Sequence, residues 1–239
     1  MEINGLTVDY ASRHIYWTDA QLRKIELSGY DGEMRRVLFN SHLTDPRSIL
    51  ADPKNGYLYW DDQGSRTIER SFLDGSVRET LSSENMTWPN QLALNTDESV
   101  LFYVDAWNQA LQGISLTNGP ASEQMQLSSA TGKVPVFGLG VHKNTAYITT
   151  WESSMLMAVD LNTREVQTLA GNLAENVLFS VALDVETNTP IQITNPCSSD
   201  INGGCSHLCL PSGVFSYRCS CPSFSGLVLA EDALSCVGE

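Results

Sequence analysis

The sequence predicts an all-β chain built from repeated four-stranded units and ending in a small cross-linked module. Three observations carry that prediction. Short aromatic-rich runs recur at near-constant spacing, Asp-Gly and Asn-Gly turns separate them, and all six cysteines lie between Cys197 and Cys236. No segment keeps a helical apolar period over several turns, which excludes a helical solenoid.

The repeats set the architecture. Ile15-Tyr16-Trp17-Thr18-Asp19 recurs as Leu58-Tyr59-Trp60-Asp61-Asp62, as Leu101-Phe102-Tyr103-Val104-Asp105 and as Ala146-Tyr147-Ile148-Thr149-Thr150, in steps of 43, 43 and 45 residues. An apolar run precedes each copy: Leu6-Thr7-Val8-Asp9, Ile49-Leu50-Ala51-Asp52, Leu92-Ala93-Leu94-Asn95 and Leu139-Gly140-Val141-His142. A further such run, Val181-Ala182-Leu183-Asp184, has no full unit behind it. Pro46, Pro89 and Pro135 stand just ahead of these runs, where a strand begins and no ladder donor is required. In the first run Leu6 and Val8 point to one side and Thr7 and Asp9 to the other. Two more short runs complete each unit, for example Ile25-Glu26-Leu27 and Val37-Leu38 around the Tyr30-Asp31-Gly32 turn. Four strands in about 43 residues is the size of a propeller blade, so the units are expected to stand as a radial array of sheets.

Composition narrows the function. The chain has 239 residues and a net charge of −14, from 14 Lys+Arg against 28 Asp+Glu. Such a surface repels phosphate backbones, so nucleic acid is excluded as a partner, and basic patches on protein ligands are attracted. No apolar run is long enough to span a bilayer, so no direct membrane contact is expected of this segment. The first 196 residues contain no cysteine and carry enough apolar sequence for their own core. The last 43 residues are too few to bury much and need cross-links, which places the chain in an oxidising compartment. A domain boundary is therefore expected near residue 194, with repeats over 1–194 and the module over 195–239.

The Tyr-Trp-Thr-Asp signature resembles the class B repeat of the low-density lipoprotein receptor-related protein family, which includes endocytic receptors, Wnt co-receptors and nidogen. The resemblance implies a YWTD β-propeller of six blades. It also implies that the aromatic pairs Tyr16-Trp17 and Tyr59-Trp60 pack between sheets, and that Asp19, Asp62 and Asp105 make fixed structural hydrogen bonds. Thr150 departs from the pattern, so a different bond is expected in the fourth unit. Four units plus an opening strand make about four of the six blades. A fragment of a longer receptor is therefore expected, with a closed smaller ring as the alternative. A fragment would expose an apolar sheet face near Tyr16 and Trp17 and another near Val181 and Leu183.

The cysteines read Cys197-x7-Cys205-x3-Cys209-x9-Cys219-x-Cys221-x14-Cys236. Six cysteines allow fifteen pairings. The Cys-x-Cys pair and the run from Asn202 to Cys209 resemble the disulfide-rich EGF-like module that follows the propeller in this family. That resemblance implies bridges Cys197–Cys209, Cys205–Cys219 and Cys221–Cys236. Zinc would need paired Cys-x2-Cys motifs, which are absent. Ile193-Thr194-Asn195-Pro196 lacks the oxygen ligands of calcium-binding modules, so no metal and no cofactor is expected. Asn85-Met86-Thr87 is a glycosylation sequon with Asn85 as acceptor.

Three functional classes compete. Some six-bladed propellers are calcium-dependent hydrolases, and Asp9, Asp52, Asn95, His142 and Asp184 occupy equivalent strand positions here. No nucleophile elbow, phosphate loop or zinc-protease motif accompanies them, so no catalytic residues are assigned. An intracellular Trp-Asp repeat scaffold shares the repeat length but not the cysteine module. The third class is extracellular protein recognition. Trp88-Pro89-Asn90-Gln91-Leu92 resembles the family's Trp-Pro-Asn-Gly-Leu run, whose Trp and Asn lie on a ligand face. Arg47, 43 residues before Asn90, shares its register. Arg47, Trp88 and Asn90 are therefore the expected ligand face. An amide, a guanidinium and an exposed indole suit a side-chain amide and its apolar neighbour.

The reading is an extracellular, protein-binding segment of a single-pass, endocytic receptor that visits endosomes. A Wnt co-receptor segment or a nidogen-like matrix module is the alternative. Replacing both Cys221 and Cys236 by serine is expected to cost about 2–5 kcal/mol of module stability. Peptide mapping of the native chain that joined Cys197 to Cys205 would refute the implied pairing.

Overall fold

The computed structural model describes residues 2–83, 86–95, 99–117, 135–150, 155–171, 195–198 and 202–238, and residues 122–126 as backbone. Asn85, Val181, Leu183 and Asp184 lie outside the described residues.

Four antiparallel four-stranded meanders follow one another along the chain. The first blade holds β1 (Ile3–Asp9), β2 (His14–Asp19), β3 (Lys24–Gly29) and β4 (Arg36–Phe39). The second holds β5 (Pro46–Asp52), β6 (Tyr57–Asp62), β7 (Thr67–Phe72) and β8 (Glu79–Ser82). The third holds β9 (Pro89–Asn95), β10 (Val100–Asp105), β11 (Ala110–Ser115) and β12 (Ser122–Gln126). The fourth holds β13 (Val136–His142), β14 (Thr145–Thr150), β15 (Leu156–Asp160) and β16 (Val166–Ala170). The repeat motifs thus fall on the first two strands of every blade.

One irregularity recurs. The register between the first and second strands slips between Ile3 and Gly5, between Pro46 and Ile49, opposite Val104 and Asp105, and between Val136 and Leu139. Each slip is a bulge near the start of the first strand, and a bulge leaves backbone groups outside the ladder.

The contacts gather the chain into two compact units. One holds the first two blades together with the cysteine module. Tyr16, Ile25, Leu27, Leu58, Trp60 and Leu73 share its core with Leu208 and Leu210 of the module. Strand alternation sends Tyr16 and Trp17 to opposite faces of the first blade. Tyr16 is fully buried, and its hydroxyl donates to the Leu73 carbonyl of the second blade at 3.1 Å. Trp17 faces the other way beside Leu6, which is 62% exposed. Of the pair expected on an open apolar face, Tyr16 is therefore buried and Trp17 half-buried.

An ion pair repeats with the blade. Arg35 binds Glu26 at 2.7 Å and lies 5.5 Å from the centre of the Trp17 ring. Arg78 binds Glu69 at 2.7 Å and lies 5.3 Å from the centre of Trp60. The second copy is more enclosed. Phe39 of the first blade stands 5.1 Å from the Arg78 guanidinium, which also donates to the Ser41 and His42 carbonyls.

The module is two short hairpins, β17 (Leu208–Pro211) with β18 (Tyr217–Ser220) and β19 (Leu227–Leu229) with β20 (Cys236–Gly238). Disulfides join Cys197 to Cys209, Cys205 to Cys219 and Cys221 to Cys236. It is packed into the first unit rather than standing apart. Asp74 N–H donates to the Pro211 carbonyl, and Arg218 pairs with Asp74 at 2.7 Å. Asn195, considered only as a missing calcium ligand, bridges the two parts: its amide donates to Ser12 Oγ and its oxygen accepts from Cys197 N–H. Gly56, at φ +76°, allows a close backbone approach, since a Cβ there would stand 2.8 Å from the Gly213 carbonyl.

The second unit holds the third and fourth blades. Its core gathers Ala93, Val104 and Leu111 with Val136, Leu139, Ile148, Met157 and Val159.

Two predictions follow from the first unit's packing. Arg78→Ala is expected to cost about 2–4 kcal/mol because it strands Glu69 in a buried position. Arg35→Ala is expected to cost about as much although Arg35 is itself 48% exposed, because Glu26 is only 1% exposed and loses its guanidinium partner; urea titration of both variants checks this, and a loss under about 1 kcal/mol in either refutes it. Burial of His14 lowers its pKa from 6.5 to about 4. Between those values the unfolded chain holds a proton that the native chain does not, so His14 removes stability as pH falls through 6.5. The loss reaches roughly 3 kcal/mol near pH 4. Burial raises Asp9 and Asp61, which act in the opposite sense. The test is therefore a difference: His14→Phe should gain on the native chain steadily between pH 7 and 4 in thermal melts.

Candidate ligand-binding site

The end of each blade that carries the bulge also carries the connector from the previous blade and the turn after the second strand. The repeated aspartate ties these together. Asp62 accepts from the N–H groups of Thr44, Asp45 and Ser65 at 2.7, 3.0 and 3.0 Å. Asp105 accepts from Thr87, Trp88 and Asn108 at 2.8, 3.2 and 3.0 Å. Asp19 does the same for Glu2 and Leu22. In the fourth blade Thr150 Oγ1 accepts from Met155 N–H instead, five residues on. The aspartates are buried supports for this end.

Arg47 and Asn90 occupy the bulge in their own blades. The Arg47–Ser48 peptide is held from both sides. Thr18 of the first blade donates to the Arg47 carbonyl at 2.5 Å, and Asp61 accepts from Ser48 N–H at 2.7 Å. Asp61 is fully buried, and that burial pushes its carboxyl well above the usual carboxylate range. The fourth blade repeats the lower half of this clamp, with Thr149 Oγ1 accepting from Gly138 N–H at 3.0 Å. The Arg47 guanidinium itself pairs with Asp45 at 3.2 Å, at the rim of its blade.

Trp88 differs from expectation. Its indole is half-buried and meets Phe137 of the fourth blade edge-on, with ring centres 5.6 Å apart. Phe137 is the fourth blade's bulge residue, so Trp88 acts as packing between blades as well as lining their end. Among the described residues the freely exposed indole is Trp107, 68% exposed in the turn after β10. That turn is anchored by Asn108, whose amide donates to Asp105 and to Thr87 Oγ1. Trp107 was legible as an anomaly, because the equivalent turn positions hold Gln21 and Gly64. The third blade thus presents Asn90 and Trp107 at one end, with Trp88 packed against Phe137 beside them.

Asp9, Asp52, Asn95 and His142, the described positions considered for a metal ring, lie at the far ends of the first strands. Asp9 accepts from Ala11 and Ser12 N–H, and Asp52 holds the Asn55 backbone and side-chain amides. Asn95 donates to the Lys143 carbonyl, and His142 is half-buried beside that turn. Among the described residues no three His, Cys, Asp or Glu side chains gather as a metal site would. No described helix is long and apolar enough to cross a membrane.

Comparison with known proteins agrees with this architecture. Residues 13–53 and 56–94 match the family described as low-density lipoprotein receptor repeat class B. Residues 197–236 match the family described as coagulation Factor Xa inhibitory site. Low-density lipoprotein receptor-related protein 5 of Mus musculus is 39% identical over 98% of this chain, which spans 14% of that protein's length. A crystal structure of a nidogen/laminin complex contains a chain 30% identical, with a TM-score of 0.67 over 74% of this chain and 66% of that one. A virginiamycin B lyase from Staphylococcus aureus shares the fold alone, at 14% identity and a TM-score of 0.62 over 74% of this chain and 58% of that one. The repeated Tyr-Trp-Thr-Asp blades, the disulfide-rich module behind them and these likenesses place the chain in the low-density lipoprotein receptor-related family of class B repeat propellers.

Proposed function

We propose that the chain is an extracellular, protein-binding segment of a receptor-related ectodomain and that it recognises ligands rather than transforming them. The observation that carries this reading is the exposed Trp107 indole, which shares the end of the third blade with Asn90 and Trp88. A large indole held in solvent by an anchored turn costs solubility, and its usual return is a partner's apolar surface. Asn90 beside it offers a donor and an acceptor to a side-chain amide or a backbone. Arg47 occupies the same register in the second blade and is proposed as a ligand contact of that blade in its own right. The net charge of −14 favours ligands with basic patches.

Three disulfides support an oxidising, extracellular setting. We further propose that the parent receptor is single-pass and endocytic, reaching endosomes with its cargo. A Wnt co-receptor segment is the second reading, and the 39% identity to a receptor-related protein favours it over a nidogen-like matrix module. Uptake of this segment grafted onto an anchored reporter supports the endocytic reading, and a Wnt-reporter response without uptake supports the second.

The face itself is tested by saturable binding of the labelled chain to cell surfaces, displaced by unlabelled chain. Trp107→Ala and Asn90→Ala are each expected to weaken binding by about tenfold to a hundredfold with an unchanged melting temperature. Undiminished binding refutes the face, and an equal loss of thermal stability marks Asn90 as a structural residue of the bulge.

A further inference from the structure

A second feature of the molecule stands apart from the blade ends. Within the first unit a groove of about 730 Å³ runs between the outer strand β4 and the cysteine module. We propose that this groove binds an extended acidic segment of a protein partner.

Charge is the first argument. Lys24, Arg36 and Arg218 line the groove, and Asp74 is the one carboxylate among its lining residues. This is a cationic trough in a chain of net charge −14. Arg218 is partly neutralised by Asp74 at 2.7 Å. Lys24 and Arg36 are not: no carboxylate pairs with either among the described residues, and Arg36 donates only to the neutral Cys221 carbonyl at 2.7 Å. Arg36 is half-buried, and that burial draws its guanidinium below its ordinary pKa. A carboxylate delivered into the groove supplies the missing counter-charge where water screens it weakly.

Shape and apolar lining are the second argument. Val37, Leu227 and Val228 line the same groove. At its rim Phe224 is 88% exposed and sits at φ +61°, a conformation that bulky side chains rarely adopt. The loop is held in that state by its neighbour: Ser223 N–H donates to the Arg35 carbonyl, and Ser223 Oγ accepts from Val37 N–H at 3.0 Å. A fixed, outward phenyl ring beside uncompensated cations fits a chain that alternates acidic and apolar side chains. A sulfated glycan would use the cations and leave Phe224 idle.

The test uses the whole chain and a short fluorescein-labelled peptide of alternating Glu and Leu, with a Lys-Leu peptide and a heparin oligosaccharide as competing probes. The Glu-Leu peptide is expected to bind, and to weaken as salt rises from about 50 to 300 mM. Lys24→Glu, which breaks no bond to the module, should weaken it about tenfold, and Phe224→Ser by a similar factor with the salt dependence retained. Arg36→Gln should weaken it as well, and its melting curve shows whether the module stays seated. Absence of Glu-Leu binding, preference for the Lys-Leu peptide, or unchanged affinity in Lys24→Glu overturns the proposal. Tighter binding of heparin with no effect of Phe224→Ser also overturns it, in favour of a glycan. None of these outcomes bears on the end of the third blade, whose residues are different.

Discussion

The structure depends on one recurring hydrogen-bond constraint. A bulge at the start of each blade, together with the connector before it, leaves backbone N–H groups that no neighbouring strand can accept. In the first three blades a buried carboxylate at the end of the second strand accepts those of the connector. Asp62 and Asp105 each gather three such donors, from the incoming connector and from the turn beyond. Their effect is positional: they fix the connectors and turns that carry Arg47, Trp88, Asn90 and Trp107. The residues proposed for recognition are thus held by residues that are themselves sealed from solvent.

The first unit adds a second level of support. Its two blades and the module share one core, with Leu208 and Leu210 packed among Tyr16, Trp60 and Leu73. A stapled module with little core of its own gains from a surface that has one. Polar ties at Asn195, Arg36, Asp74 and Ser223 then set its orientation. The same docking creates the cationic groove, because it brings Arg218 and the Cys221 carbonyl up to Lys24 and Arg36.

The repeated Trp-Glu-Arg arrangement illustrates how one local motif meets two degrees of enclosure. Around Trp60 the arginine is enclosed by Phe39 and by two backbone carbonyls. Around Trp17 the arginine is 48% exposed, while its partner Glu26 is sealed at 1%. Coulomb attraction and desolvation both grow with enclosure, and the buried glutamate is common to both copies.

What the sequence alone determined is the local order: the four units, the strands within them, the Asp-Gly turns, and the cysteine-rich end. Those signals are local, because strand alternation and turn chemistry act over a few residues. The aspartates too were legible, since their 43-residue spacing marks a structural repeat. Tertiary structure decided the rest. It sent Tyr16 inward and Trp17 outward, turned Trp88 against Phe137, and left Trp107 rather than Trp88 as the exposed indole. It seated the module on the first two blades and brought Arg218 of the module to Lys24 and Arg36 of the first blade. Burial and charge compensation depend on which surfaces meet, and no spacing within a single strand encodes that.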